Sequence, residues 1–340
     1  MLPIPSINVS GNIEQGVGVS ISRREFVLSG SALLAWPAFG QDKYPSRPIR
    51  MVVPHPVGGG VDIMARSLGE HLRAALGQPI VVENKPGANG MIGAQFTAAA
   101  PADGYTLMMN GPGEIAIAPH LVKQMTYDPS KDLQPITLCS RAPNVLMVGP
   151  STPATNVAEL ITLAKSKPLT FGSSGIGNIQ HLNGELFNKL AGVKIEHVPY
   201  KGAAPQIADI VAGQINMGFT SVAAALPLIK AGRVRPLGVT SKQRVPALPD
   251  VPSLSETPAL ASYELNNWFG MFAPAGIPKA ALKMVHAAAV KGLNTPEMRK
   301  FIVDGGAIPA PMTPEEFSAF VAGESRMFAQ IIKEANVTAS

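Results

Sequence analysis

The sequence predicts an α/β fold made of two similar halves, and three observations carry the prediction. From Ile49 onward, strand-like and helix-like segments alternate, which is the pattern of β-α-β units and mainly parallel sheets. One set of residues recurs at a fixed offset of 115 positions. The chain of 340 residues is rich in Gly (33) and Pro (32) and only 15% charged, which suits short elements joined by tight turns.

The N-terminal residues stand apart. Ser22-Arg23-Arg24-Glu25-Phe26-Val27-Leu28 leads into an apolar, small-residue stretch from Ser29 to Phe39. A charged region, a short apolar region and then small residues make an export signal, and adjacent arginines match the twin-arginine type. The apolar stretch is shorter than the roughly 20 residues of a permanent span. Pro37 and the polar Gln41-Asp42-Lys43 argue against an ordinary amphipathic first helix. Residues 1–40 are expected to be a twin-arginine signal peptide cleaved near Gly40, and the mature protein to be periplasmic. Arg23 and Arg24 cancel Glu14 and Glu25, so the mature chain keeps the formal +5.

Ile49–Pro54 reads as a buried strand. Asp62 to Leu76 reads as a helix, with Ile63, Leu68, Leu72 and Leu76 at helical spacing, Asp62 as N-cap and Gly77 as stop. Ile80–Glu83 and Thr106–Asn110 are further strands, and Asn84-Lys85-Pro86-Gly87 is a turn. Asn144–Val148 opens the second half, which runs on through Val198, Met217–Thr220 and Pro236–Thr240. Trp268–Ala273 is a late strand. Pro278–Leu293, Pro296–Asp304 and Pro314–Glu334 are helices that begin with proline.

The repeat pairs Gly60, Gly69, Glu70, Gly77, Ile80, Gly87 and Ala88 with Gly175, Gly184, Glu185, Gly192, Ile195, Gly202 and Ala203, without a gap. Each copy is a strand, a Gly/Ser-rich loop, a helix ending in Gly, a second strand and a turn. The final helices are too few for a third domain and are expected to pack on the first. Domain 1 is then 41–142 plus 265–340, and residues 143–264 form an inserted domain 2.

Each copy places a loop, Gly58–Gly60 or Ser173–Gly177, between a strand end and a helix start. First-turn amides have no partner within the helix and sit at the positive end of its dipole. Glycine permits close approach. Two such loops across a cleft suit a carboxylate. Other chemistries find little support. Lys and Arg are scattered, which argues against nucleic acid. Cys139 is the single cysteine, so neither an intrachain disulfide nor a Cys-x-x-Cys metal site forms. Gly172-Ser173-Ser174-Gly175 is not a hydrolase elbow, and the sequence has neither a Walker motif nor G-x-G-x-x-G spacing at Gly58-Gly59-Gly60. The histidines lack metal-ligand spacing. His181, one turn into the second helix, is within reach of the cleft, although a structural donor is the commoner role. Trp268 and Phe269 are also candidates to line the cleft, although core packing is the commoner role.

The sequence resembles the substrate-binding proteins of tripartite tricarboxylate transporters, the Bug family, from Tyr44 to about Glu334. The resemblance is carried by Tyr44–Arg50, Pro54–Asp62, Glu83–Gly90, Asp103–Leu107, Tyr127–Pro129, Phe171–Leu182, His197–Gly202, Leu248–Pro252 and Ala273–Gly276. It implies a two-domain periplasmic-binding-protein fold, type II-like, with a ligand cleft between the domains. By match, Val57, Gly58, Gly59 and Gly60 together with Ser173, Ser174, Gly175 and Asn178 would grip a carboxylate, partly through water. Two more loops, Asn110–Glu114 and Thr220–Val222, would select the rest of the ligand, with Asn110, Gly111, Thr220 and Ser221 as contacts. Here the chain departs from commoner patterns. Glu114 lies in the first of these loops, hydroxyls fill the second, and no positive side chain is evident. That puts a simple tricarboxylate in doubt, and a mono- or dicarboxylate, aromatic acids included, is expected at least as readily. The expected protein is a monomer without cofactor or metal, not an enzyme, that hands its ligand to membrane transporter subunits. The alternative is a ligand-loaded partner of a membrane signalling protein.

Overall fold

The computed structural model describes residues 44–338, so the signal peptide expected at 1–40 lies outside the described residues. In chain order the elements begin β1 (Ile49–Val53), α1 (Gly60–Leu76), β2 (Ile80–Asn84), α2 (Met91–Ala98) and β3 (Thr106–Asn110). A π-helical turn, Gly113–Ile117, precedes α3 (Ala118–Leu121), α4 (Pro129–Asp132), β4 (Leu133–Ala142) and β5 (Asn144–Val148). Next come α5 (Val157–Ser166), β6 (Thr170–Ser173), α6 (Ile179–Ala191), β7 (Glu196–Pro199), α7 (Ala203–Ala212), β8 (Met217–Ser221), α8 (Val222–Lys230) and β9 (Arg235–Val239). The chain closes with β10 (Asn267–Pro274), α9 (Lys279–Leu293), α10 (Pro296–Asp304), β11 (Ile308–Pro309) and α11 (Pro314–Glu334). Among the described residues, no helix is long and apolar enough to cross a membrane.

Two sheets result, ordered β11-β4-β10-β3-β1-β2 and β7-β6-β8-β5-β9. The expectation of mainly parallel sheets needs correction, because both are mixed. β1 pairs in parallel with β2 and β3, and β6 with β7 and β8. β10 runs antiparallel to β3 and β4, and β5 antiparallel to β8 and β9. Parallel neighbours need a crossover connection, usually a helix. Only Pro143 separates β4 from β5, where the chain leaves one sheet for the other. β10 brings it back. Strands that carry the chain between sheets have no helical crossover, and they enter antiparallel.

The local rules explain most elements. Ile49, Met51, Val52 and Val53 of β1 are all fully buried, as expected of a strand covered on both faces. α1 turns Val61, Met64, Ala65, Leu68 and Leu72 inward and stops at Gly77, which is left-handed at φ 69. α6 stops the same way at Gly192, φ 63. The repeated glycines inside the helices have a packing reason. A Cβ on Gly184 would collide with the Phe171 ring of β6, and one on Gly69 would touch Ile80 of β2. α9 packs on α1 and β4, while α11 packs on β4 and the π-helical turn and also reaches α6. Trp268 is fully buried, edge-on to Phe317 and Phe320, and its indole N–H donates to Glu324 at 3.2 Å. Burial pushes the Glu324 carboxyl up to about 7, against the opposing pull of Trp268 and Arg141.

Candidate functional site

A cavity of about 820 Å³ is lined from both sheets' sides. The first sheet contributes Pro54–Pro56 after β1, the turn before α2, and the stretch from Gly113 to Val122. The second contributes Ser174–Asn178 after β6 and Pro199–Lys201 after β7. The size is that of a small-molecule site. The two sides meet closely: a Cβ on Gly177, which is left-handed at φ 72, would collide with Leu121 of α3.

At the first loop, the N-cap of α1 is Gly59, not Asp62 as the sequence suggests. The helix starts two residues earlier, and buried Asp62 lies within its first turn. From there the Asp62 carboxylate accepts the Gly58 N–H at 2.9 Å. Arg66 grips the same carboxylate through Nε at 3.1 Å and Nη2 at 2.9 Å. Asn84 ties it to the loop, donating to Asp62 at 2.9 Å and to the His55 carbonyl at 3.0 Å. Arg66, ahead of the cost of burial and helped by Gly58 and Asn84, draws the Asp62 carboxyl down to about 2. No side chain caps α1, so its opening amides stay available to a ligand. Val57, Gly58, Gly59 and Gly60 do not line the cavity, whose wall on this side ends at Pro56, and Val57 is 71% exposed. Phe269 is partly buried, and its ring lies against Gly60.

The second loop is satisfied from within. The Asn178 side chain caps α6, accepting from Gln180 N–H at 3.0 Å and His181 N–H at 2.9 Å. The Ser174 N–H donates to Gln180 Oε1 at 2.8 Å, and the Gly177 N–H to His181 Nδ1 at 3.0 Å. Asn178 also donates to Ser174 Oγ at 2.8 Å. Ser173 is buried beneath the loop, where its hydroxyl donates to the Gly175 carbonyl and meets His197 Nε2, both at 2.7 Å. His181 and His197 stack with centroids 3.7 Å apart. Burial, and then the neighbouring His181, lower the His197 titration point to about 4.

Of the sequence-derived candidates, Ser174, Gly175 and Asn178 line the cavity. His181 does not; it is buried and props the loop through Gly177. Asn110 and Gly111 are buried, the Asn110 side-chain carbonyl accepting the Gly111 N–H at 2.8 Å. Thr220 is buried at the end of β8, and Ser221 caps α8 through the Ala224 N–H. Cavity contributors not singled out from the sequence as contacts include His55, the turn before α2, Leu121, and Tyr200-Lys201. The repeat contained a signal for the two turns, since Pro86 and Lys201 are 115 positions apart and both line the cavity.

A family model for the tripartite tricarboxylate transporter family receptor matches residues 64–337. A protein from the tcbD-tcbE intergenic region of Pseudomonas sp. (strain P51) is 34% identical over 327 residues, covering 94% of this chain and 97% of that protein. The solved structure of R. palustris Rpa4515 with adipate is 35% identical at a TM-score of 0.76, over 87% of this chain and 99% of that one. The periplasmic binding protein BugD is 34% identical at a TM-score of 0.73, over 87% and 100%.

Proposed function

The chain belongs to the tripartite tricarboxylate transporter receptor family, and on that premise we propose that it captures a small organic carboxylate in the periplasm and delivers it to a membrane transporter of the tripartite tricarboxylate type. Like its relatives it is a binding protein, not an enzyme. The observation that carries the ligand class is the cavity between two strand-to-helix loops, one of them leading into the uncapped start of α1. Amides at a helix start attract an anion, and Lys201 adds a cation on the other side. The adipate bound by Rpa4515 supports the same class.

In this reading the ligand carboxylate lies between Val57–Gly60 and Ser174–Asn178. The two sheet-centred halves, 41–142 with 265–340 and 143–264, close on it. Closure brings in Asn110, Gly111, Thr220 and Ser221 and covers the exposed Val57. One helix start contributes only about 0.3–1 kcal/mol, and micromolar affinity needs about 8 kcal/mol. Closure and further contacts must therefore supply most of the affinity. Export through the arginine pair at Arg23-Arg24 completes the proposal.

A thermal-shift screen against mono-, di- and tricarboxylates tests the reading. A ligand at about a hundred times its Kd is expected to stabilise the fold by about 2.7 kcal/mol. No stabilisation by any carboxylate would sink it. Delivery is tested separately by uptake of the identified acid in cells lacking the chain.

A further inference from the structure

We propose that Glu114 makes this cleft select carboxylates that carry a second hydrogen-bond donor, an amine N–H or a hydroxyl O–H, over plain acids of the same length. The inference rests on the carboxylate-receptor reading and names the ligand class within it.

Glu114 is the second residue of the π-helical segment Gly113–Ile117, which contributes to the cavity lining, and its side chain is only 2% exposed. Such π-helical turns often mark functional positions. One carboxylate oxygen, Oε1, meets His55 Nε2 at 3.1 Å. The other, Oε2, is buried and has no hydrogen-bond partner among the described residues. Native proteins leave few buried acceptors unmatched, and an acid in a small-molecule cavity invites a donor from the ligand. The surroundings are shaped for this group. Gly90 packs so closely that a Cβ there would collide with the carboxylate. Its turn holds Gly87, Ala88, Asn89 and Gly90 all at positive φ, a conformation that is costly for the alanine and the asparagine. The Glu114 carbonyl is fixed as well, accepting from Tyr127 Oη at 2.8 Å.

His55 does not use up the site's capacity. Burial alone would lower its titration point, but Glu114's hydrogen bond and charge, with Asn110's hydrogen bond, outweigh burial and raise it. The imidazole therefore holds Oε1 and leaves Oε2, which is covered in this structure, without a partner. Across the cavity, Lys201 provides a cation, and the Ser174 hydroxyl, which accepts from Asn178, keeps its own proton to donate. A ligand that matches both sides presents its carboxylate to the loops and a donor to Glu114. A plain acid would bury Oε2 still unmatched.

Calorimetry on the purified protein with matched acids tests this. The sets are succinate, malate and aspartate; adipate with its alpha-hydroxy and alpha-amino forms; and benzoate with its para-hydroxy and para-amino forms. Within the set that binds, a donor-bearing acid is expected to bind about tenfold tighter than the plain one. Glu114→Met is expected to collapse that ranking to within about twofold. A wild-type protein that binds the plain acid as tightly as its donor-bearing partners overturns the proposal, and needs no variant to do so. A Glu114→Met protein that keeps the ranking overturns it too. Binding of none of these acids overturns this inference, and only the failure of the wider carboxylate screen as well removes the carboxylate reading.

Discussion

The two strand-to-helix loops are copies of one unit, but they use their amides differently. At the offset of 115, Gly60–Ile63 corresponds to Gly175–Asn178. The first stretch is the opening turn of α1, whereas the second is still loop. In the first, a charged hub of Asp62 and Arg66 holds Gly58 from behind and leaves the helix start uncapped. In the second, His181, the counterpart of Arg66 at the same offset, accepts from Gly177, and Asn178 caps α6. Repeated sequence thus specifies the same turn in both copies while dividing the labour between them. The first copy keeps charge-seeking amides open. The second is a pre-formed wall whose own side chains already satisfy it.

Removing the hub should have the largest effect. Asp62→Ala strips Gly58, Arg66 and Asn84 of a shared, buried partner. A loss of about 2–4 kcal/mol in unfolding free energy is expected, with ligand stabilisation lost as well. Denaturant midpoints with and without ligand measure both. A loss below about 0.5 kcal/mol, the range of ordinary surface changes, would show that the hub does not hold the first loop.

The matching change in the second copy is His181→Leu. It leaves the Gly177 N–H without its acceptor and removes the stack on His197. The expected loss is about 1–2 kcal/mol, smaller than at Asp62 because Asn178 and Gln180 still hold the loop. Denaturant melts of the two variants side by side decide the order. A larger loss at His181 would reverse the comparison.

Much of this was legible in the sequence because it rests on local rules. The pattern of apolar residues marked β1, β5 and α1, proline and glycine marked the helix ends, and the offset of 115 marked the repeated unit. What was not legible depended on distant partners. Asp62 reads as an N-cap because an acid beside a glycine run favours that role; only the approach of Asn84 and Gly58 shows that it acts from inside the helix. His181 reads as a cleft residue by position, yet its ring nitrogen is committed to Gly177. The antiparallel entries of β4, β5 and β10 depend on where the chain changes sheets, which no hydrophobic period records. Glu114 could be noticed as unusual, but its pairing with His55 and its fit against Gly90 are tertiary facts.

The two loops should respond to pH in opposite directions, His197 to acid and His55 to base. The His197 ring under the second loop titrates at about 4, below its ordinary 6.5. Its folded value is depressed, so its contribution is present above about pH 6.5 and is lost as pH falls from there to about 4. His55, beside the first loop, is raised. Its contribution is complete below about pH 6.5 and is lost only as pH rises through its folded value. Stability measured from about pH 6.5 down to about 4 is expected to fall by about 1–2 kcal/mol on account of His197, discounted because the ring is only partly buried. His197→Gln should flatten that part of the profile. An unchanged profile in this variant would show that the stacked pair is not the acid-sensitive element.

The smallest expected change in stability gives the most direct test, because it makes the first copy resemble the second. Gly59 has φ −73 and ψ 162, an extended conformation open to any residue. A Cβ there would meet only the Pro56 carbonyl at 3.4 Å. Gly59→Asn can therefore place a side-chain acceptor over the α1 amides, as Asn178 does for α6. Replacing a glycine cap in this way is worth only a few tenths of a kcal/mol, so the melting midpoint should rise slightly. The same acceptor competes with the ligand carboxylate for those amides. If they supply about 0.3–1 kcal/mol of anion binding, affinity should fall about two- to fivefold. A variant that gains stability and keeps full affinity would show that the α1 start is not where the carboxylate sits. A gain in stability joined to a loss of affinity would mean that the first copy stays uncapped because its cap is the ligand.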